Sequence, residues 1–156
     1  MSRESVERFA SGATALSKAI AGLSRAEMLA FPVPGAWSIQ QIVMHVMDSD
    51  LIGTDRMKRV IAEERPLLVG YNETAFARSL FYEEMDPRAA CEVFEKNRLL
   101  TAEVLRRLPD EAFARYGIHT ESGKKTLADL VNGYCEHLDH HMRFLHEKRR
   151  LLGKPM

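Results

Sequence analysis

The spacing of the apolar residues constrains the fold of this chain more than any other feature. Apolar side chains recur at intervals of three and four residues in four stretches, near residues 4–23, 39–64, 87–108 and 127–152. This period places them on one face of an α-helix. We therefore predict four long amphipathic helices, which bury these faces against one another in an all-α four-helix bundle.

Helix start signals support these boundaries. Ser38, Asp86 and Thr126 each stand directly before one of the last three stretches, and a proline follows Asp86 at the first helical position. Serine, threonine and aspartate side chains in this position accept hydrogen bonds from the first backbone amides of a helix. Ser24 begins a similar capping box, which predicts a short helical turn before the second long helix.

The segments between the long helices are unequal in length. The second and third helices, and the third and fourth, are separated by long intervals, which favours crossover connections over a simple up-and-down bundle. A shorter helix is expected within residues 73–84, and the irregular segment 110–125 has room for a small hairpin. Without repeats or linkers, residues 1–156 are expected to form a single domain.

The composition argues against several classes of function. Twenty-two basic residues balance 22 acidic ones, so no strong field is available to hold a nucleic acid. No apolar run approaches the length of a membrane span, and the N-terminal residues lack the apolar core of a signal peptide. Cys91 and Cys135 lie within helical patterns and are interpreted as reduced, buried thiols of a cytoplasmic protein.

Four of the six histidines lie close together near the C-terminal end: His137, His140, His141 and His146. At about 100° per residue, His137 and His141 lie about 40° apart, on the apolar stripe of the fourth helix. His140 lies on the flank of that stripe, and His146 points toward water. Two imidazoles four residues apart can bind one metal ion. Two core histidines with hydrogen-bond partners would give the same spacing, so both interpretations stay open.

A third metal ligand is available on the second helix. His45 lies in an apolar run, where a histidine can also be an ordinary core residue. Asp48, one turn further on, could orient the His45 ring or join the metal. Three histidines from two helices would leave a coordination position for water or substrate.

These residues also carry a family resemblance, which extends over nearly the whole chain. The segments concerned are WSIQQIVMH (37–45), GYNETAFARSLF (70–81), FEKNRLL (94–100), KTLADLV (125–131) and HLDHH (137–141). The chain resembles the DinB/YfiT-like superfamily of small metalloenzyme candidates. The resemblance implies a four-helix bundle with crossover connections. It also implies that the histidine triad of the family falls on His45, His137 and His141.

The resemblance further implies a function. Members with assigned roles include metal-dependent transferases and isomerases that use low-molecular-weight thiols such as bacillithiol or mycothiol. We therefore expect a divalent ion, zinc or nickel, and a small-molecule substrate, with thiol-dependent S-transfer or hydrolysis as the reaction. The alternative is a bundle that binds a ligand or partner without catalysis and keeps a vestigial or structural metal site.

The resemblance also implies a homodimer. Apolar residues on more than one side of the first helix favour the same assembly: Phe9, Ala10, Ala13, Ala15 and Leu16.

No residue stands out as the catalytic base. Asp48, Glu136 and His140 are candidates by position alone. Leu138 follows His137, so the chain lacks the glutamate of an H-E-x-x-H peptidase motif.

Other residues have two interpretations each. Trp37 is more simply a core anchor than a substrate platform, and Arg98 either binds an anionic substrate or pairs with a carboxylate of a neighbouring helix. Tyr71, Asn72 and Glu73 either shape the mouth of a pocket or, for Asn72, cap the short helix.

Overall fold

A computed structural model describes residues 3–156. Its helices are α1 (Arg3–Ser11), α2 (Ala15–Ile20), α3 (Arg25–Leu29), α4 (Ile39–Ala62), α5 (Glu73–Ser79), α6 (Pro87–Arg106) and α7 (Leu127–Leu151). Short 3₁₀ turns occupy Gly12–Thr14 and Asp110–Ala114, and three strands are β1 (Leu67–Leu68), β2 (Tyr116–His119) and β3 (Gly123–Thr126). The predicted four-helix bundle is confirmed, with α1 and α2 together forming its first helical layer.

The expected helix caps are present. The Ser38 hydroxyl accepts a hydrogen bond from the Gln41 amide, and Thr126 does the same for Asp129, each within a full capping box. Asp86 accepts from the Arg88 amide at the start of α6, and Ser24 caps α3. These local contacts start three of the four long helical segments within a residue of the predicted positions.

The first long helix is interrupted, where the sequence pattern predicted one continuous helix over 4–23. The chain makes a 3₁₀ turn at Gly12–Thr14 before it continues as α2. Gly12 packs against two side chains from other helices. A Cβ atom built on it would lie 2.7 Å from Leu138 Cδ2 and 2.8 Å from Arg98 Nη1. Side chains of α6 and α7 approach the backbone closely here, which favours a glycine. The helix breaks at this same position.

The long helices are arranged so that α4 packs against α6 and α7, and α1 and α2 also pack against α6 and α7. Two apolar clusters form the core. One surrounds the first half of α4 and includes Ile42, Val46 and Leu145, and the other surrounds Met57, Val60 and Leu130. Between them, the buried residues on α4 are mostly polar: Ser49, Asp50, Thr54 and Arg56. This polar layer crosses the middle of the bundle and borders the histidine cluster.

A small sheet closes one side of the bundle. β2 and β3 form an antiparallel hairpin in the segment that had room for one, with Tyr116 opposite Thr126. β1 adds a parallel edge, which the sequence did not predict, and pairs Leu67 with Ile118. Strand β3 runs directly into the Thr126 cap and thereby fixes where α7 begins.

The surface gives no support to the reasoning behind the dimer. Phe9, Ala10, Ala13 and Leu16 are buried in the core of their own chain, and Ala15 is partly buried against the same core, so these residues leave no apolar face on the first helix. Exposed apolar side chains lie instead on α6, at Val93, Leu99, Leu100 and Val104. The homodimer stays a prediction. Across residues 3–156, no helix combines the length and apolarity needed to cross a membrane.

Candidate metal centre

Three imidazoles converge between α4 and α7. His45 comes from α4, and His137 and His141 come from successive turns of α7. One ring nitrogen from each lies within 4.8 Å of the other two. The Nε2 atoms of His45 and His137 are 3.2 Å apart, and the ring centroids of His137 and His141 are 4.5 Å apart. The structure therefore brings together the three histidines that the sequence singled out.

The local sequence explains this convergence. His45 and Gly53 are about two turns apart on α4 and face α7. A Cβ atom built on Gly53 would lie 2.2 Å from Cζ of Tyr134, so the glycine allows the two helices to approach closely. Tyr134 lies one turn before His137 on α7. This close approach places the His45 ring, which is 1% exposed, against the half-buried pair.

The separation of the nitrogens fits a shared ion. Two nitrogens bound to one tetrahedral zinc ion at 2.0–2.1 Å lie about 3.3 Å apart. The 3.2 Å between the Nε2 atoms of His45 and His137 is close to that value. Three imidazoles are also a ligand set that zinc and nickel accept. The three residues can thus hold one divalent ion and leave at least one of its coordination positions free.

The protonation state suits metal binding as well. Burial lowers the pKa of His45 to about 4, of His137 to about 3 and of His141 to about 4. Repulsion between neighbouring imidazoles lowers these pKa values further. Only the neutral imidazole has a lone pair for a metal, so all three rings are ready to bind an ion at neutral pH.

One carboxylate reaches this cluster from a third element. Asn72 caps α5 by accepting a hydrogen bond from the Ala75 amide, which places Glu73 at the first helical position. The Glu73 Oε2 atom lies 3.6 Å from Nε2 of His45, while most of the Glu73 side chain is exposed. The centre therefore has a carboxylate beside its nitrogen ligands, at the side open to solvent.

Comparison with known proteins identifies the family. The sequence model of the DinB superfamily matches residues 8–145. The chain belongs to the DinB superfamily. Its match includes all three histidines, the whole of α4, and α7 as far as residue 145.

Proteins of similar sequence give the context of this match. YfiT of Bacillus subtilis, named as a proposed metal-dependent hydrolase, is 28% identical over 120 residues, which are 76% of this chain and 67% of YfiT. A Bacillus cereus protein with the same description is 26% identical over 138 residues, covering 88% of this chain and 79% of its own. These names describe the relatives.

The solved structure of Bacillus subtilis YfiT has the same fold. It superposes with a TM-score of 0.90, covers 96% of this chain and 86% of YfiT, and is 23% identical. That protein is described as having an unusual four-helix bundle topology. The two chains therefore share the arrangement of their long helices.

The three candidates for a base that the sequence offers each have a different environment in this DinB protein. Asp48 accepts a 2.6 Å hydrogen bond from the Tyr82 hydroxyl, and Nδ1 of His45 is buried without a partner among residues 3–156. Asp48 therefore does not orient His45. His140 is exposed and its ring packs edge-on against His141 and Phe144. Glu136 is exposed on the outside of α7.

The remaining residues singled out in the sequence divide between structure and site. Trp37 packs against the first apolar cluster and also lies edge-on to His45, at 4.9 Å between ring centroids. Arg98 pairs with Asp50 inside the bundle, so its structural interpretation is correct. His146 is exposed and outside the cluster. The sequence places Glu73 only at the mouth of a pocket. Apart from the Asn72 cap, nothing in the sequence indicates that Glu73 approaches His45.

The lowered pKa values predict that the metal-free protein loses stability in acid. Unfolded histidines bind protons near pH 6.5, whereas the buried rings resist protonation down to about pH 4. Between these values the unfolded state binds more protons, so the free energy of unfolding falls as the pH decreases. For His45 alone the difference corresponds to about 3 kcal/mol at most.

Thermal melts of chelator-treated protein between neutral pH and about pH 4 would measure this loss. The His45→Gln variant, which has one buried imidazole fewer, should lose less stability over the same range. An equal loss in both proteins would contradict the assignment of this effect to His45.

Proposed function

We propose that this protein is a metal-dependent hydrolase of a small-molecule substrate, with zinc or nickel held by His45, His137 and His141. The observation that carries the proposal is the convergence of three neutral imidazole nitrogens within 4.8 Å, with one carboxylate beside them. A structural metal site is normally closed by four protein ligands, whereas a catalytic one keeps a position free. The names of the DinB relatives point in the same direction.

In this proposal, Glu73 acts as the general base. An ion bound to the histidines supplies a Lewis acid that makes water a better nucleophile near neutral pH. The Glu73 carboxylate lies 3.6 Å from His45 Nε2 and is within reach of a water beside the ligands. It takes the role that the glutamate of H-E-x-x-H plays in peptidases, but it comes from a separate helix.

Trp37 and its surroundings provide the contact for the rest of the substrate. A cleft of about 330 Å³ opens beside Trp37, between the start of α4 and the segment from Thr74 to Glu84. Thr74 lines the cleft and directly follows Glu73. The Trp37 ring, which lines the cleft, lies 4.9 Å from the His45 ring between centroids and connects the cleft to the ligand set.

Thiol-dependent S-transfer is the second candidate, because the same free position accepts a thiolate. Burial raises the pKa of Cys91 to about 12 and also raises that of Cys135. Both thiols are buried, and neither belongs to the cluster of three histidines, so neither is proposed as a thiolate donor. A thiolate in this site would have to come from a low-molecular-weight thiol.

We expect the zinc- or nickel-loaded protein to hydrolyse activated esters or phosphate esters, assayed with a p-nitrophenyl panel. Glu73→Gln should lower kcat by about 10²- to 10⁴-fold, as expected for loss of a general base. It should leave metal content unchanged, because the three imidazoles remain.

The matched control is Glu103→Gln, an exposed glutamate on α6 that does not line the cleft. Its activity should equal that of the wild type. Product formation that requires an added thiol would favour S-transfer over hydrolysis. Equal activity of metal-free and metal-loaded protein would reject both.

A further inference from the structure

Arg56 is a buried cation on the same face of α4 as His45. The two residues are 11 positions apart, about 20° around the helix and about 16 Å along its axis. The Arg56 side chain is 9% exposed. Its Nη1 atom donates to the Tyr134 hydroxyl at 3.0 Å, and its Nη2 atom donates to the Val69 carbonyl at 2.5 Å. Nε is buried and has no hydrogen-bond partner within residues 3–156.

Arg56 has no carboxylate partner, unlike the buried Arg98. Arg98 pairs with Asp50. Arg149 donates to the carbonyls of Ala19 and Ala21 at the end of α2, where the helix dipole is negative. For Arg56, no carboxylate oxygen of residues 3–156 lies within 4.0 Å, and both of its acceptors are neutral. A buried charge without a counter-charge is costly to keep.

The Nε–Nη2 edge of the Arg56 guanidinium holds no carboxylate. In other arginines of this chain, the same edge does. Arg98, Arg106 and Arg150 each hold their carboxylate through Nε and Nη2. In Arg56, Nε is free and Nη2 bonds only to a backbone carbonyl. That carbonyl belongs to Val69, which is 62% exposed in the segment between β1 and α5. A small shift of this surface segment would open the edge to an oxyanion.

Arg56 is also connected to the metal centre. Tyr134, which accepts its Nη1 hydrogen bond, lies 6.1 Å from His137 between ring centroids. We propose that the Nε–Nη2 edge of Arg56 binds a carboxylate or phosphate group of the substrate, with the reacting group at the histidines. This inference rests on the proposed function and restricts it to anionic substrates. The oxyanion replaces the Val69 carbonyl as the acceptor of Nη2 and gives Nε its partner.

Benzoate and phenyl phosphate test the proposal, with benzamide as the neutral probe of similar shape. Calorimetric titration of zinc-loaded wild-type protein should show binding of at least one anion and much weaker binding of benzamide. Arg56→Gln should weaken anion binding by about tenfold or more, since a charge-assisted pair is lost. Arg56→Lys should give an intermediate value, because it keeps the charge but loses the two-pronged edge. Comparison of the two anions shows which oxyanion the site prefers.

Arg59→Gln is the matched control, because it removes one exposed positive charge from the same helix. It should bind the anions as the wild type does. Repeating the titrations in metal-free His45→Ala protein separates the anion subsite from the hydrolase proposal. This protein holds no metal ion, so any anion that binds must bind elsewhere. Arg56-dependent binding in that background supports the subsite even if the hydrolase proposal fails. Failure of both anions to bind the wild type would overturn the inference. So would anion binding by the folded Arg56→Gln and Arg56→Lys proteins that is as tight as binding by the wild type.

Discussion

Replacing His45 by alanine is expected to abolish stoichiometric binding of zinc or nickel while the helical bundle stays folded. Removing residues that merely orient metal ligands typically weakens metal affinity by about 10- to 100-fold, so loss of a ligand itself should cost about 100-fold or more. Only His137 and His141 would then remain, and two imidazoles make a weak site. The fold should persist because the two apolar clusters surround the site without depending on an ion.

Trp37 provides a direct measurement of this loss. It is the only tryptophan in the chain and lies 4.9 Å from the His45 ring. Nickel binding in the wild type should quench its fluorescence in step with metal content, and His45→Ala should abolish the quenching. Circular dichroism would verify that the variant is folded.

His146→Ala and His140→Ala are the matched controls, because both remove a histidine outside the cluster from α7, the helix that carries His137 and His141. They should bind metal as the wild type does. Full metal occupancy in His45→Ala, or its loss in His146→Ala, would show that the three histidines have been assigned incorrectly.

The helices were predictable because their causes are local. Ser38 and Thr126 cap helices through residues three positions away, and the apolar period is present within each helix. The break at Gly12 was not predictable, because its neighbours are Arg98 and Leu138 from distant parts of the chain. Strand β1 was missed since two residues are too short to show a pattern.

The candidate site divides in the same way. The spacing of His137 and His141 is a property of one helix, and His45 stood out as a polar residue in an apolar run. Glu73 and Arg56 gave no comparable signal. The importance of Glu73 depends on where α5 lies relative to His45, and that of Arg56 on which buried charges lack a partner. Both facts arise only when the chain is folded.

The buried pair of Asp50 and Arg98 has a structural role that supports the site. Arg98 Nη2 also donates to the Tyr134 carbonyl at 2.8 Å, and Nη1 donates to the Phe9 carbonyl. Its guanidinium lies over the rings of Phe9 and Phe94, at 4.4 Å and 4.7 Å from their centroids. One side chain of α6 thereby contacts α1, α4 and α7. Its contact on α7 is Tyr134, one turn before His137.

Asp50→Ala is therefore expected to lower the free energy of unfolding by about 3–5 kcal/mol, because it leaves the Arg98 guanidinium buried without its counter-charge. Chemical denaturation of the metal-free variant would measure the change. The double variant Asp50→Ala/Arg98→Met should be less destabilised than the sum of the two single variants, since removal of the guanidinium removes the unpaired charge.

The pair of Glu7 and Arg106 supplies the matched control. It also joins α1 to α6 through the Nε–Nη2 edge, but both side chains are about half exposed. Water screens such a pair, so Glu7→Ala should leave the free energy of unfolding nearly unchanged. Similar losses for Glu7→Ala and Asp50→Ala would contradict the structural role of the buried pair. A large loss for Asp50→Ala alone, together with weaker metal binding, would show that Arg98 fixes α7 in the position that His137 and His141 need.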